Sequence, residues 1–242
     1  MAESFFITGT GTGVGKTIVT TGLAVHFLSR CRNVSVMKPV QTGLSESVSD
    51  LETAKAIVPG LTPLPKRLAS PYSFSLPASP LLAAKSENRK INPNTILRAF
   101  REASSRPDID VLLVEGAGGL LVPLTNKFLM IDLITEMDIP AILVATAGLG
   151  TVNHALLSIE AMKKRKLKIA GIVINKMPRN PGVVEKDNVR TIERLGGVPV
   201  IAVISEFDFL MKNTGLPACN KDEIANFANQ LLIEFNLFQN LD

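Results

Sequence analysis

Six short apolar runs, at residues 5–8, 34–38, 111–115, 141–146, 169–175 and 198–204, constrain this chain more than any other feature. Several are continuously apolar rather than alternating. A strand covered by protein on both faces needs that pattern, because neither face meets water. Between the runs lie amphipathic segments. From Val152 the apolar residues fall at Val152, Ala155, Leu156, Ile159 and Met162, a spacing of three and four that lines one helix face. Further helices are expected at 16–28, after the Asn92-Pro93 start signal, at 185–195 and at 222–235. This alternation predicts an α/β fold, a doubly wound and mostly parallel sheet with helices on both faces. Ligands of such folds sit at the carboxyl ends of the strands. Residues 45–92 break the rhythm, with prolines at 59, 63, 65, 71, 77 and 80. They read as a loop-rich insertion folding over the site, within a single domain spanning 1–242.

Composition narrows the function classes. A chain of 242 residues, 46% hydrophobic and 20% charged, can bury a core without disulfides or a structural metal and is not disordered. Its two cysteines, Cys31 and Cys219, make neither a disulfide framework nor a four-ligand metal site, which fits a reducing compartment. A net charge of +4, scattered along the chain, gives no footprint for nucleic acid. The apolar stretch at 139–149 is too short for a membrane span and carries Pro140 and Gly148. No basic segment opens the N-terminus, so a cytoplasmic protein is expected.

The chemistry starts at Ile7-Thr-Gly-Thr-Gly-Thr-Gly-Val-Gly-Lys-Thr17, between a predicted strand and a predicted helix. Glycines there let successive N–H groups turn toward one anion, and the helix N-terminus adds partial positive charge. Lys16 can reach β- and γ-phosphates, and the Thr17 hydroxyl can bind Mg²⁺. Thr10 stands where the strict phosphate-loop pattern asks for glycine, and the glycine sits one residue earlier, at Gly9. A dinucleotide frame starting at Gly9 lacks its third glycine, because Val14 occupies that place. Three further segments end strands. In Val111-Leu-Leu-Val-Glu-Gly-Ala-Gly-Gly119 a carboxylate, Glu115, emerges beside the phosphate loop and precedes a flexible turn. In Met37-Lys-Pro-Val-Gln-Thr-Gly43 the residues alone leave Lys38 open between a surface lysine and a cation for a transferring phosphoryl group. Asp50 is the first acid of a helix start, where capping is a strong explanation.

Together these segments resemble the dethiobiotin synthetase family. The resemblance rests on Thr8-Gly-Thr…Val-Gly-Lys-Thr17, Lys38-Pro39…Thr42-Gly43, Pro71-Tyr72-Ser73-Phe74…Pro77…Ser79-Pro80, Val114-Glu-Gly-Ala-Gly-Gly119 and Leu149-Gly150…Asn153-His154. It runs in motif order from Phe6 to about Glu206, and the displaced Gly9 is itself a family trait. It implies a P-loop NTPase-like enzyme that uses ATP and Mg²⁺ to close the ureido ring of dethiobiotin from 7,8-diaminononanoate and CO₂, in biotin synthesis. Gly13, Val14, Gly15, Lys16, Thr17, Ile18, Glu115, Gly116, Ala117 and Gly118 would line the nucleotide. Asn175, Lys176 and Ser205 would lie on its adenine side, and the adenine-side loop runs on to Phe207. Thr17, Asp50 and Glu115 would hold the metal, and Lys16 and Lys38 would carry the catalysis. Thr12, Lys38, Thr42 and Gly118 would meet the substrate, with Leu149, Gly150 and Asn153 receiving its carboxylate across the interface of a homodimer. The sequence departs from the family at Gly11 and Gly13, where many members are acidic, and at Ser205, where proline is common.

Two other classes share such loops. Partitioning and cell-division ATPase switches want a second lysine five residues before Lys16, where this chain has Gly11. Cobyrinate-type amide-forming enzymes carry an amidotransferase domain, for which 242 residues leave no room.

Overall fold

In a computed structural model, which describes residues 1–45, 48–206, 226 and 228–230, all six apolar runs become strands. They are β1 (Glu3–Gly9), β2 (Val34–Met37), β5 (Val111–Glu115), β6 (Ala141–Thr146), β7 (Ile169–Met177) and β8 (Val200–Ser205). Their order in the sheet is β2-β5-β1-β6-β7-β8, and every neighbouring pair is parallel. Successive residues of a strand point to opposite faces, so the sheet feeds two separate cores. Phe5, Ile7, Val111, Leu113, Ile142 and Val144 pack on one face with Val19, Leu23 and Phe27 of α1 (Lys16–Ser29) and Ile57 of α2 (Asp50–Ile57). Phe6, Leu112, Val114 and Leu143 pack on the other. There they meet α5 (Pro93–Ser104), α6 (Met130–Met137), α7 (Thr151–Lys164) and α8 (Val183–Gly196), through Phe100, Ile134, Ile159 and Ile192. Each such side chain, fully buried, contributes about 1.5–3 kcal/mol, which is why the runs carry no polar alternation.

β1 sits at the switch point of this sheet. Its residues 3–7 pair with 111–115 of β5 on one side, and residues 6–9 pair with 141–144 of β6 on the other. The crevice beyond the carboxyl end of β1 therefore opens between the loops that follow three adjacent strands.

The region 45–92 carries more regular structure than its prolines suggest. It holds α2, a short α3 (Lys66–Ala69), β4 (Tyr72–Ser73) and α4 (Pro80–Ser86). β4 pairs in parallel with β3 (Val40–Gln41) to form a second, two-stranded sheet. The prolines do not oppose these helices: Pro65 precedes α3, and Pro80 takes the first position of α4, where its missing N–H costs nothing. The helix expected at 222–235 lies outside the described residues except at 226 and 228–230, which are helical.

Candidate active site

The loop from β1 to α1 turns on Gly15. At φ +93° it is the N-cap of α1, and no side chain caps the helix. A Cβ there would stand 1.8 Å from Nδ2 of Asn175, so the position needs glycine twice over, for its backbone angle and for its neighbour. Lys16 follows, is 7% exposed, and folds its Nζ back to the carbonyl of Gly11 at 2.9 Å. Thr12 and Gly13 are exposed at the loop tip, Val14 is buried beneath it, and Ile18 is half-buried in the first turn of α1.

Asp50 reaches this loop from α2. Ser49, not Asp50, caps that helix: its hydroxyl accepts from Glu52 N while the Glu52 carboxylate accepts from Ser49 N. Asp50 is thereby released from capping, and both its carboxylate oxygens point at the site. Oδ1 lies 2.9 Å from Thr17 Oγ1, and Oδ2 lies 2.7 Å from Lys38 Nζ. Glu115, at the end of β5 and 1% exposed, makes the same two contacts, 2.9 Å to Thr17 Oγ1 and 2.6 Å to Lys38 Nζ. Lys38 also donates to Gly116 O at 3.2 Å. Because β2 ends at Met37, Lys38 leaves the sheet and its side chain turns inward, to 4% exposure. That excludes a surface lysine.

The charges are consistent with this geometry. Burial pushes the Lys16 ammonium down to about 8, helped by the like charge of Lys38 and opposed by Glu115 and Asp50. For Lys38 burial pulls the same way, yet the carboxylates of Glu115 and Asp50 outweigh it and hold the ammonium above its ordinary value. Desolvation opposes ionisation of Asp50, and its contacts with Lys38 and Thr17 overcome that and lower the carboxyl.

Three oxygen-bearing side chains, Thr17, Asp50 and Glu115, thus converge with a single hydroxyl proton between two carboxylates. That donor set fits Mg²⁺, which takes hard oxygen ligands, one or two of them carboxylates, and completes its shell with water and phosphate.

The remaining expected residues fall in three places. Gly116, Ala117 and Gly118 follow Glu115, and Gly116 N donates to Ile7 O at 2.9 Å, which ties the turn to β1. Asn175, 4% exposed near the end of β7, donates Nδ2 to Val14 O at 2.9 Å. It therefore braces the phosphate loop, a role its sequence position does not reveal, and its Oδ1 carries no hydrogen bond among the described residues. Lys176 beside it takes a left-handed φ of +58° and is half-buried, and Ser205 ends β8. Phe207 lies outside the described residues. Thr42 is half-buried after β3 and takes part in none of the bonds just described.

Leu149, Gly150 and Asn153 form the start of α7, with Leu149 94% exposed and Gly150 at φ +88° as an uncapped N-cap. A cleft of about 440 Å³ separates this helix from the phosphate loop, lined by Thr10, Thr12, Gly119, Val122, His154 and Leu157. Of the expected substrate residues Thr12 lines this hollow, whereas on the α7 side its border is made by His154 and not by Asn153.

The chain is 36% identical to the ATP-dependent dethiobiotin synthetase BioD of Bacillus subtilis strain 168, over 88% of this chain and 92% of that one. It is 34% identical to the protein of the same name from Thermodesulfovibrio yellowstonii, over 94% and 95%. The chain belongs to the dethiobiotin synthetase family. A family model described as an AAA domain matches residues 3–214. Among solved structures, a ParA-family ATPase from Chlorobium tepidum superposes with a TM-score of 0.59 at 17% identity, covering all of both chains. The septum site-determining protein MinD of Pyrococcus horikoshii, complexed with Mg-ADP, superposes with 0.58 at 17% identity, over 96% and 95%. Those two show the P-loop fold alone. Among the described residues no helix is long and apolar enough to cross a membrane.

One residue escaped the reading of the sequence. Asn188 lies on the inward stripe of α8 with Ile192 and Gly196, four residues apart. A polar residue at that spacing on a buried stripe is the signal that would have marked it.

Proposed function

We propose that this chain closes the ureido ring of dethiobiotin, consuming ATP, CO₂ and 7,8-diaminononanoate. The observation that carries the reading is the convergence of Lys16, Lys38, Thr17, Asp50 and Glu115 on the phosphate loop of a dethiobiotin synthetase family member. One amine adds to CO₂ and loses a proton, giving a carbamate. A carbamate oxygen attacks the γ-phosphorus and ADP leaves, giving a carbamic-phosphoric anhydride. The second amine attacks the carbamoyl carbon, the ring closes, and phosphate departs with the activated oxygen.

Phosphoryl transfer asks mainly for positioning and charge, and the residues divide along those lines. N–H groups of residues 13–18 would receive the phosphates, with Lys16 laid along them. Lys38, held charged by two carboxylates, would act as a fixed cation beside the carbamate and would not accept a proton. Thr12, Thr42 and Gly118 would border the diamine. Thr17, Asp50 and Glu115 would hold Mg²⁺, which supplies charge neutralisation on the phosphate oxygens. Asn175, Lys176 and Ser205 would border the adenine, where a carboxamide can both donate and accept. The start of α7 would receive the substrate's carboxylate on its free N–H groups.

The family resemblance also supports a cytoplasmic homodimer built from one nucleotide-binding domain per chain, with the α7 start serving the neighbouring subunit. The test is direct. Protein, MgATP, bicarbonate and diaminononanoate should yield dethiobiotin and phosphate together. Phosphate release indifferent to the diamine would overturn the reading.

A further inference from the structure

α8 packs beside α7 and is fastened to it at both ends. At the far end Gly196 accepts a bond from Lys163 Nζ at 2.7 Å, and a Cβ on Gly196 would stand 2.7 Å from Ile159. At the near end lies Asn188. Its Nδ2 donates to Ala147 O at 2.9 Å and to Gly148 O at 3.3 Å, two consecutive carbonyls in the turn from β6 to α7. A buried carboxamide is tolerated only when bonded, and an apolar side chain would pack the same stripe without that demand.

The bonds have a geometric consequence. In a trans peptide the carbonyl of one residue and the N–H of the next point in opposite directions. Drawing Ala147 O and Gly148 O toward α8 therefore turns the N–H groups of Gly148 and Leu149 away from it. Those residues are exposed, as is Gly150, which caps α7 with no side-chain partner. Gly148 O also accepts from Thr151 N at 3.3 Å, so one carbonyl ties the turn to both helices.

We propose that Asn188 is a positioning residue: it fixes the turn at 147–150 so that its N–H groups and the first turn of α7 face the carboxylate of the diamine substrate. This rests on the reading of the α7 start as the carboxylate site. Asn188 touches neither nucleotide nor reacting amine; it acts through the backbone it holds.

The test compares two substrates in the intact protein. One is 7,8-diaminononanoate; the other is 2,3-diaminononane, the same vicinal diamine with a methyl group in place of the carboxylate. Asn188→Leu removes the donors and keeps the size. It should raise KM for diaminononanoate about tenfold, the size of one lost anion contact, and leave kcat and the KM for ATP within about twofold. On 2,3-diaminononane the variant and the parent should show equal kcat/KM. Asn188→Ala, also without a donor, should give the same pattern and stands in if the leucine variant does not fold. A merely structural role would depress both diamines alike, or lower kcat, and would overturn the proposal, as would no change at all. If the parent itself processes both diamines with equal kcat/KM, the carboxylate reading of α7 fails and the proposal fails with it. If the parent discriminates and neither variant alters the ratio, only the role of Asn188 fails.

Discussion

The starts of α1 and α7 use the same backbone device in different surroundings. Each helix begins after a glycine with a left-handed angle, Gly15 at +93° and Gly150 at +88°, and neither has a side-chain cap. Around the start of α1 stand two buried lysines, two carboxylates and a hydroxyl; Lys38, Thr17, Asp50 and Glu115 are bonded to one another, and Lys16 to Gly11 O. At the start of α7 residues 148–150 are exposed and Thr151 is buried, and among the described residues no ion pair involves 147–154. The contrast follows from the ligand each is read to bind. A triphosphate carries several negative charges whose distribution changes during transfer, and N–H dipoles alone cannot balance it. A single carboxylate that takes no part in bond making can be met by N–H groups and a helix end.

Charge removal at the first site should break the comparison hardest. Lys16→Gln should lower turnover by about 10²–10³, read as phosphate release at saturating ATP, because a preorganised charge contact is lost in the transition state. Gly15→Ala comes next. Its Cβ would collide with Asn175 Nδ2, so ATP affinity should fall by about 10²-fold in a direct binding titration. Gly150→Ala has the same backbone angle but no atom within 4 Å of the new Cβ. There the cost is backbone strain alone, about 1 kcal/mol, and should appear as roughly a fivefold rise in diamine KM with ATP binding unchanged. Matching losses at Gly15 and Gly150 would erase the distinction between the two helix starts.

Protonation gives a smaller and sharper test. With its pKa lowered to about 8 against an unfolded value of 10.5, Lys16 binds fewer protons folded than unfolded between those limits. Its contribution to stability is therefore least favourable below about pH 8 and improves as pH rises toward 10.5, because the unfolded state holds the extra proton. Lys38 has the opposite sign: its stabilisation is complete below 10.5 and is lost as pH climbs through its raised folded value. Nucleotide phosphates should recharge Lys16, so MgATP binding at about pH 8.5 should take up a fraction of a proton. Calorimetry in two buffers of different ionisation enthalpy reads it, and identical heats would contradict a partly neutral Lys16. The smallest effect is expected at Leu149, which is 94% exposed: Leu149→Ser should move stability by less than about 0.5 kcal/mol in a denaturant titration.

What the sequence revealed and what it hid divide by range. Strands buried on both faces announce themselves through uninterrupted apolar residues, and the run at 111–115 matches β5 residue for residue. Gly-Lys-Thr17 and Glu115 were readable because strand ends carry functional groups to one side of the sheet. Within 45–92, α3 and α4 were hidden because they are short and start at or just after prolines, which read as breakers until the position within the helix is known. Asp50 could not be separated from a helix cap by local pattern, since Ser49 and Asp50 both suit the task, and only the capping box with Glu52 assigns it. Asn175 and Asn188 depend on partners 161 and 40 or 41 residues away, and no local spacing encodes those.

The central place of β1 has a consequence for how the protein comes into being. The phosphate loop leaves the ribosome well before residues 111–144 are made, yet the strand supporting it bonds to 111–115 and to 141–144. Until those are synthesised, Phe5, Phe6 and Ile7 have no sheet to enter, and the nascent chain carries an apolar edge in need of protection. Pairing so distant in sequence is slow to close. ATP binds only the completed crevice and so stabilises finished molecules over unfinished ones by mass action.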